Sequence, residues 1–344
     1  MLPIRLGEKT VSQDEILRVE HLTKYYPVEK SFLEKALTRG KHFVKAVDDV
    51  SFTVKRGEIF TLAGESGCGK TTTGKMIVRL ISPTSGKIFF DNVEITGLKN
   101  EDLRVLKRKI QIIFQDPYAS FNPRMKIGDA VGHPLEIHGL ADKEEEKTLV
   151  AELFNRVGLT PAEKFVDLYP HQMSGGQRQR AALARSLILK PELIVADEPV
   201  SMIDVSLRTA IVDLMLNLRR DFGLTYLFIT HDLAIAKYIS DRIGIMYLGR
   251  IVEVGDKETI FSKPMHPYTQ ALLAAIPVPD PDRKRKATEL IGDVPSAIDI
   301  PSGCRFHTRC RYAKKACEEE EPKLVEVSSG HFVACPFEKV EMTE

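Results

Sequence analysis

Nine consecutive residues, Gly64, Glu65, Ser66, Gly67, Cys68, Gly69, Lys70, Thr71 and Thr72, have the types and spacing of a loop that wraps phosphate. Glycines at the first, fourth and sixth positions let backbone N–H groups turn inward, and a helix opening at Lys70 adds its partial positive end. In such a loop Lys70 reaches the β- and γ-phosphates of a nucleotide, and Thr71 offers its hydroxyl to Mg²⁺. The loop does not demand the side chain of Cys68, which reads as incidental.

A second acidic centre lies far along the chain. In the run 192–198, four apolar residues at 193–196 lead into Asp197 and Glu198. In a parallel sheet such a strand delivers its last residues to the edge where ligands bind. Asp197 is then expected to hold Mg²⁺ through water, and Glu198 to orient or deprotonate an attacking water. Ser174, Gly175, Gly176 and Gln177 precede a helical pattern over 177–189, giving a hydroxyl, bare amides and a helix N-terminus. That is a second anion site. One chain needs one such site for its own γ-phosphate, so the second is expected to serve the nucleotide of another subunit.

Four of the five cysteines, Cys304, Cys310, Cys317 and Cys335, follow C-x5-C-x6-C-x17-C near the C-terminus. Thiols clustered in this way bind metal or form disulfides. Structural zinc favours paired C-x2–4-C knuckles, which this spacing lacks, although His307 and His331 are close enough to replace a cysteine ligand. Disulfides are disfavoured if the compartment is reducing.

The elements that must position these residues can be read coarsely. Strand patterns cover 16–26, 47–54, 58–63, 192–198 and 224–230, with a turn at Arg56-Gly57. A helix is expected over 71–80, a hairpin over 86–95 turning at Asp91-Asn92, and a closing hairpin over 242–255 around Leu248-Gly249. Residues 115–190 read as helical, with charged Lys143 to Lys147 on a solvated face, and 206–221 as a helix between two buried strands. A polar insertion at 27–45, a Pro-rich boundary at 276–282 and a basic linker at 283–286 separate the blocks.

With 344 residues, 43% hydrophobic and 28% charged, the chain has the composition of a globular protein with a substantial core. A formal net charge of +1 gives no global field for nucleic acid, and nucleic acid is not expected as a partner. The first fifteen residues show no apolar signal region, and no run reaches the roughly 18 apolar residues of a membrane span.

The motifs together resemble ATP-binding cassette ATPases over about 16–262. MSGGQRQR (173–180) is similar to their signature, and the other elements follow in order. Tyr26 resembles the aromatic that stacks on adenine. Gln115, in IIFQDP, resembles the glutamine that touches Mg²⁺ and senses the γ-phosphate. Asp204 resembles the D-loop aspartate, and His231, in FITHD, the switch histidine at the γ-phosphate. The resemblance makes Lys70, Glu198 and His231 the expected catalytic set, and Thr71, Gln115 and Asp197 the Mg²⁺ set. One departure is Ser201-Met202-Ile203-Asp204, where the family has S-A-L-D.

Within that superfamily the chain resembles the oligopeptide/dipeptide importer ATPases, and more the second of their two paired subunits. KYYPVEK, DPYASFNPR (116–124), HPYTQALLAAIPVPDP (266–281) and PSGCRFHTRC (301–310) carry this resemblance. It implies an α/β P-loop core at 1–262, with an antiparallel β subdomain and a helical subdomain at 115–190. A C-terminal region at 263–344 would end in a small metal-binding tail. It implies ATP and Mg²⁺ as cofactors, and a [4Fe–4S] cluster on the four cysteines, with Zn²⁺ as the alternative. The expected activity is ATP hydrolysis powering import of peptides or a related solute, from the cytoplasmic face of the membrane. Expected partners are a paralogous ATPase subunit in a heterodimer, with a homodimer in isolation. Two membrane permease subunits would join them, and an extracytoplasmic solute-binding protein would act indirectly. The alternative is a soluble cassette ATPase of translation or DNA repair, against which stand a single cassette and no long coiled-coil pattern.

Overall fold

The computed structural model describes residues 14–28, 43–276 and 292–335. Most of the insertion expected at 27–45, all but the first residue of the Pro-rich boundary and the whole basic linker lie outside the described residues.

Among the described residues twelve strands form two sheets. They are β1 (Glu15–Pro27), β2 (Phe43–Lys55), β3 (Ile59–Ala63), β4 (Ser85–Phe90), β5 (Val93–Glu94), β6 (Ile110–Ile113), β7 (Leu193–Asp197), β8 (Thr225–Thr230), β9 (Arg242–Tyr247), β10 (Arg250–Asp256), β11 (Val325–Ser328) and β12 (His331–Val333). The smaller sheet is antiparallel with order β2-β1-β4-β5. The larger has order β11-β12-β10-β9-β3-β8-β7-β6. In it β9, β3, β8, β7 and β6 run parallel, and β10, β12 and β11 extend the edge antiparallel.

Of the parallel strands, β3, β7 and β8 are buried at every position, which is why they read as largely apolar runs. Alternation still sorts their side chains. Leu193 and Val195 of β7 join the core under the antiparallel sheet, while Ile194 and Ala196 join the core under the helices. The hairpin between β4 and β5 turns where expected, with Asp91 and Asn92 both left-handed at φ 50° and 63°, as a two-residue turn requires.

The helical region is built from Ile127–His138, Lys143–Arg156 and Gly175–Leu187 around Val131, Phe154 and Leu183. Asp142 starts the second of these with a capping box, accepting from the amides of Glu144 and Glu145. The tail, described from residue 292, is no isolated appendage. Its hairpin β11–β12 docks on β10 through Glu253↔Val333 and Val254↔Phe332.

Candidate functional site

β3, β7 and β8 are parallel neighbours, so the segments that leave their C-terminal ends emerge side by side. After β3 comes the glycine-rich loop, and after it the helix Lys70–Ile77. Gly69 has φ 107°, and a Cβ there would lie 2.1 Å from the carbonyl oxygen of Ala46, so any other residue would clash with β2. Lys70 is buried, and its Nζ donates to the carbonyls of Gly64 at 2.8 Å and Glu65 at 2.9 Å, spanning the loop it follows. Ser66 and Gly67 form the exposed tip, and Thr72 is half-buried on the helix. Cys68 is buried, and burial pushes its thiol above the ordinary range. Its carbonyl accepts from the amide of Gly249 at 2.9 Å, tying the loop to the β9–β10 turn.

After β7 come Asp197 and Glu198, both buried. Thr71 Oγ1 donates to Asp197 Oδ1 at 2.8 Å. Burial holds the Asp197 carboxyl above the usual carboxylate range; the Thr71 hydrogen bond opposes this, and the charge of Glu198 adds to it. Glu198 sits in the left-handed region at φ 47°, a conformation a glutamate adopts only under constraint. Its carboxylate is held from two sides, by Gln115 Nε2 at 3.1 Å and by His231 Nδ1 at 3.0 Å. His231 follows β8, and its side chain is half exposed. Thr71, Gln115 and Asp197 line one cleft of ≈ 320 Å³ together with Lys75, which sequence reasoning had not singled out.

Ser174 caps the helix Gly175–Leu187: its hydroxyl accepts from the Gln177 amide, and the Gln177 side chain accepts from the Ser174 amide at 2.9 Å. Gly175 is half-buried and Gly176 buried beside Leu207. One turn on, the buried Arg178 lies 3.2 Å from the ring centroid of Tyr118, so the helix stacks on the segment that follows Gln115. Asp204 is exposed at the start of the helix Val205–Phe222. The departure around it resolves by burial: Ile203 fills the core, while Met202, Val205 and Leu207 stand exposed beside Asp204. Tyr26 lies on β1, 38% exposed, with Lys24 Nζ 5.1 Å from its ring centroid.

The tail differs from expectation. Among the described residues no group of three or more His, Cys, Asp or Glu side chains forms a metal-holding shell, so the expected metal-binding tail is not assembled. The thiols do share a neighbourhood. Burial pushes Cys304 up to about 11, and Cys335, Cys317 and Cys310 each add to that shift. Burial raises Cys310 as well. The physical reason is packing: Cys304 and Cys310 lie against an apolar cluster around Tyr247, Tyr268 and Phe306, serving as small hydrophobes. Phe306 meets Tyr247 edge-on at 5.3 Å and Tyr268 at 5.4 Å. His307 and His331, weighed as substitute ligands, are engaged elsewhere. His307 bonds the Cys304 carbonyl, and His331 pairs with the fully buried Glu253 at 2.8 Å. Four further residues meet at the loop and β1, and sequence reasoning had given none of them a role: Asp48, and Tyr268, Arg305 and Arg309 from the segments that carried the family resemblance. Tyr268 accepts the Glu65 amide, and the two arginines reach Asp48 and Glu65 from the tail.

The chain is similar to known proteins over most of its length. Residues 47–201 match the family described as ABC transporter, and 252–317 match the oligopeptide/dipeptide transporter C-terminal region. The chain is 46% identical to a probable peptide ABC transporter ATP-binding protein, y4tS, of Sinorhizobium fredii, over 94% of this chain and 90% of that one. It is also 46% identical to the oligopeptide transport ATP-binding protein AppF of Bacillus subtilis, over 94% of this chain and 98% of AppF. Among solved structures, the dimeric ATP-binding cassette MJ0796 in a post-hydrolysis state with ADP and Pi aligns at TM-score 0.61 and 29% identity, covering 70% of this chain and 98% of that one. The cassette cbiO1 of Clostridium perfringens, part of an ABC transporter complex, aligns at 0.61 and 26%, covering 73% and 92%.

Proposed function

The chain belongs to the ATP-binding subunits of oligopeptide/dipeptide ABC transporters, and from that premise we propose that it hydrolyses ATP to drive import of peptides, through a site whose centre is Glu198. The observation that carries this reading is the double hold on Glu198, by Gln115 and by His231, next to the Thr71–Asp197 pair. A carboxylate fixed at both oxygens is preorganised to orient and deprotonate a water, while His231 and Gln115 face the γ-phosphate. Lys70 and the loop amides from Gly64 to Thr72 hold the phosphates, and Tyr26 stacks on the base. Thr71, Gln115 and Asp197 fit Mg²⁺, an all-oxygen donor set on one cleft, and Mg²⁺ bound there neutralises phosphate charge.

Ser174, Gly175, Gly176 and Gln177 act on the partner's nucleotide, with Asp204 at the dimer contact. The exposed apolar trio Met202, Val205 and Leu207 beside Asp204 supports burial there by a second ATPase subunit, a paralogue in the cell. Two membrane permease subunits dock at 116–124, where the exposed Tyr118 is backed by Arg178; a solute-binding protein acts through them. Among the described residues no helix is long and apolar enough to cross a membrane, in keeping with a subunit held at the cytoplasmic face by those partners. The peptide and oligopeptide transport roles of the relatives favour this reading over one in translation or DNA repair. Glu198→Gln is expected to lower kcat by about 10²-fold or more and to accumulate an ATP-bound dimer in size-exclusion chromatography. Turnover at the parent rate would sink the assignment.

For the tail the narrower proposal is a [4Fe–4S] cluster on Cys304, Cys310, Cys317 and Cys335, or Zn²⁺ in its place. Its support is the shared neighbourhood of four thiols, and it requires their closer approach. Iron, sulfide and zinc analysis of anaerobically purified protein, with its visible spectrum, decides between them; protein free of all three disposes of both.

A further inference from the structure

Glu65 places a carboxylate within a loop whose ligand is a polyanion, and a bare charge there would repel phosphate. The tail supplies its counter-charge. Arg309 donates from Nη1 to Glu65 Oε2 at 2.8 Å and from Nη2 to Glu65 Oε1 at 3.2 Å, a two-pronged pairing across 244 positions of sequence. The arginine is 5% exposed and the glutamate 25%, so solvent screens the pair only weakly. Tyr247 Oη lies 3.5 Å from the same guanidinium, and Tyr268 Oη accepts the Glu65 amide at 2.9 Å.

The approach of Arg309 is itself fixed. Four residues earlier, the buried Arg305 binds the Leu248 carbonyl, Asp48, and Glu321 at 2.9 Å. Burial alone would raise Asp48, but the Tyr25 hydroxyl and Arg305 together hold its carboxyl below the ordinary range. Leu248 leads into the turn whose Gly249 amide holds the carbonyl of Cys68. Gly303, at φ 65°, lets the tail backbone pass where a Cβ would lie 2.3 Å from the Cys317 carbonyl oxygen.

We propose that Arg309 is a positioning residue for ATP binding: it neutralises and orients Glu65, so that the C-terminal tail tunes the affinity of the phosphate loop. This rests on the reading of residues 64–72 as the nucleotide loop. Arg309 touches no reacting atom and acts through Glu65.

The test measures binding of Mg²⁺ and a non-hydrolysable ATP analogue to the full-length chain by titration calorimetry, at low and high salt. Arg309→Met leaves Glu65 bare and raises Kd about tenfold, as expected for loss of a charge-assisted pair. The rise shrinks as salt screens the carboxylate. Adding Glu65→Gln to Arg309→Met removes the repulsion and brings Kd back within about twofold of the parent. A merely structural role of Arg309 predicts neither the salt dependence nor that rescue. Unchanged affinity in Arg309→Met, or a defect that Glu65→Gln does not relieve, overturns the proposal. Should Arg309→Met fail to fold, Arg309→Lys carries the same comparison: it raises Kd about threefold, because a point charge cannot make both bonds, and Glu65→Gln relieves that rise. A Kd identical with and without Glu65→Gln in that background overturns it equally. If the parent itself binds no analogue, the nucleotide reading fails instead.

Discussion

At the level of single residues, burial sets Asp197 apart as a carboxyl that resists ionisation. Asp197 is buried with only the Thr71 hydroxyl to satisfy it among the groups that oppose its shift most strongly, and its carboxyl is raised above the unfolded value. A raised acid has no cost below its unfolded pKa, and its ionised form costs stability in full once pH exceeds the folded value. Asp197→Asn is therefore expected to stabilise the protein by about 1 kcal/mol at neutral pH, a gain that fades in acid, while Mg²⁺-dependent nucleotide binding is lost. Thermal melts across pH, with and without Mg²⁺, check both halves. The same shift means that binding in the parent weakens on acidification sooner than an ordinary aspartate would allow. The spacing of the chain identified Asp197 and Glu198 as the end of a buried strand, and that is where they stand. The grip of Gln115 and His231 on Glu198 was not legible, because it depends on which strands become neighbours.

Among elements, the signature helix does two jobs with one residue. Ser174 is its N-cap, closing a capping box with Gln177, and also the hydroxyl proposed to meet the partner's phosphate. Substitution separates these. Ser174→Ala loses the cap, at about 1 kcal/mol, whereas Ser174→Asp keeps a good cap but sets a negative charge against the phosphate. Ser174→Asp is expected to melt within a degree or two of the parent yet lose nearly all ATPase activity; full activity would show that Ser174 is only a cap. Elements with strong local signals were readable: β3, β7 and β8 as largely apolar runs, and the β4–β5 hairpin by Asp91-Asn92. The helix Asn100–Lys109 and β6 were not. That helix is rich in charge and buries only Leu106, and β6 is four residues long beside it. The hairpin β11–β12 escaped notice too, because three of the four residues of β11 are exposed and show no alternation.

Over the whole molecule, the tail closes the far side of the large sheet. β10 pairs with β9 on one side and with β12 on the other, and Ala334 adds a bond to the Val252 carbonyl. Ending the chain at residue 320 would uncover β10, whose Ile251, Val252 and Val254 are otherwise buried. An open apolar edge recruits other strands, so the truncated protein is expected to aggregate in light scattering at concentrations where the full chain is clear. Long-range arginine pairs such as Arg305–Asp48 and Arg309–Glu65 leave no trace in local pattern, so the grip of the tail on the phosphate loop was not legible. The distance between Glu65 and Arg309 also has a meaning in time. A ribosome adding 5–20 residues per second needs about 10–50 s to travel the 244 positions between them. Through that interval the nascent phosphate loop carries an uncompensated carboxylate. A polypeptide stalled or cleaved before Arg309 thus keeps a weakened hold on ATP, and full grip on the fuel arrives only once Arg309 has been made and folded against the loop.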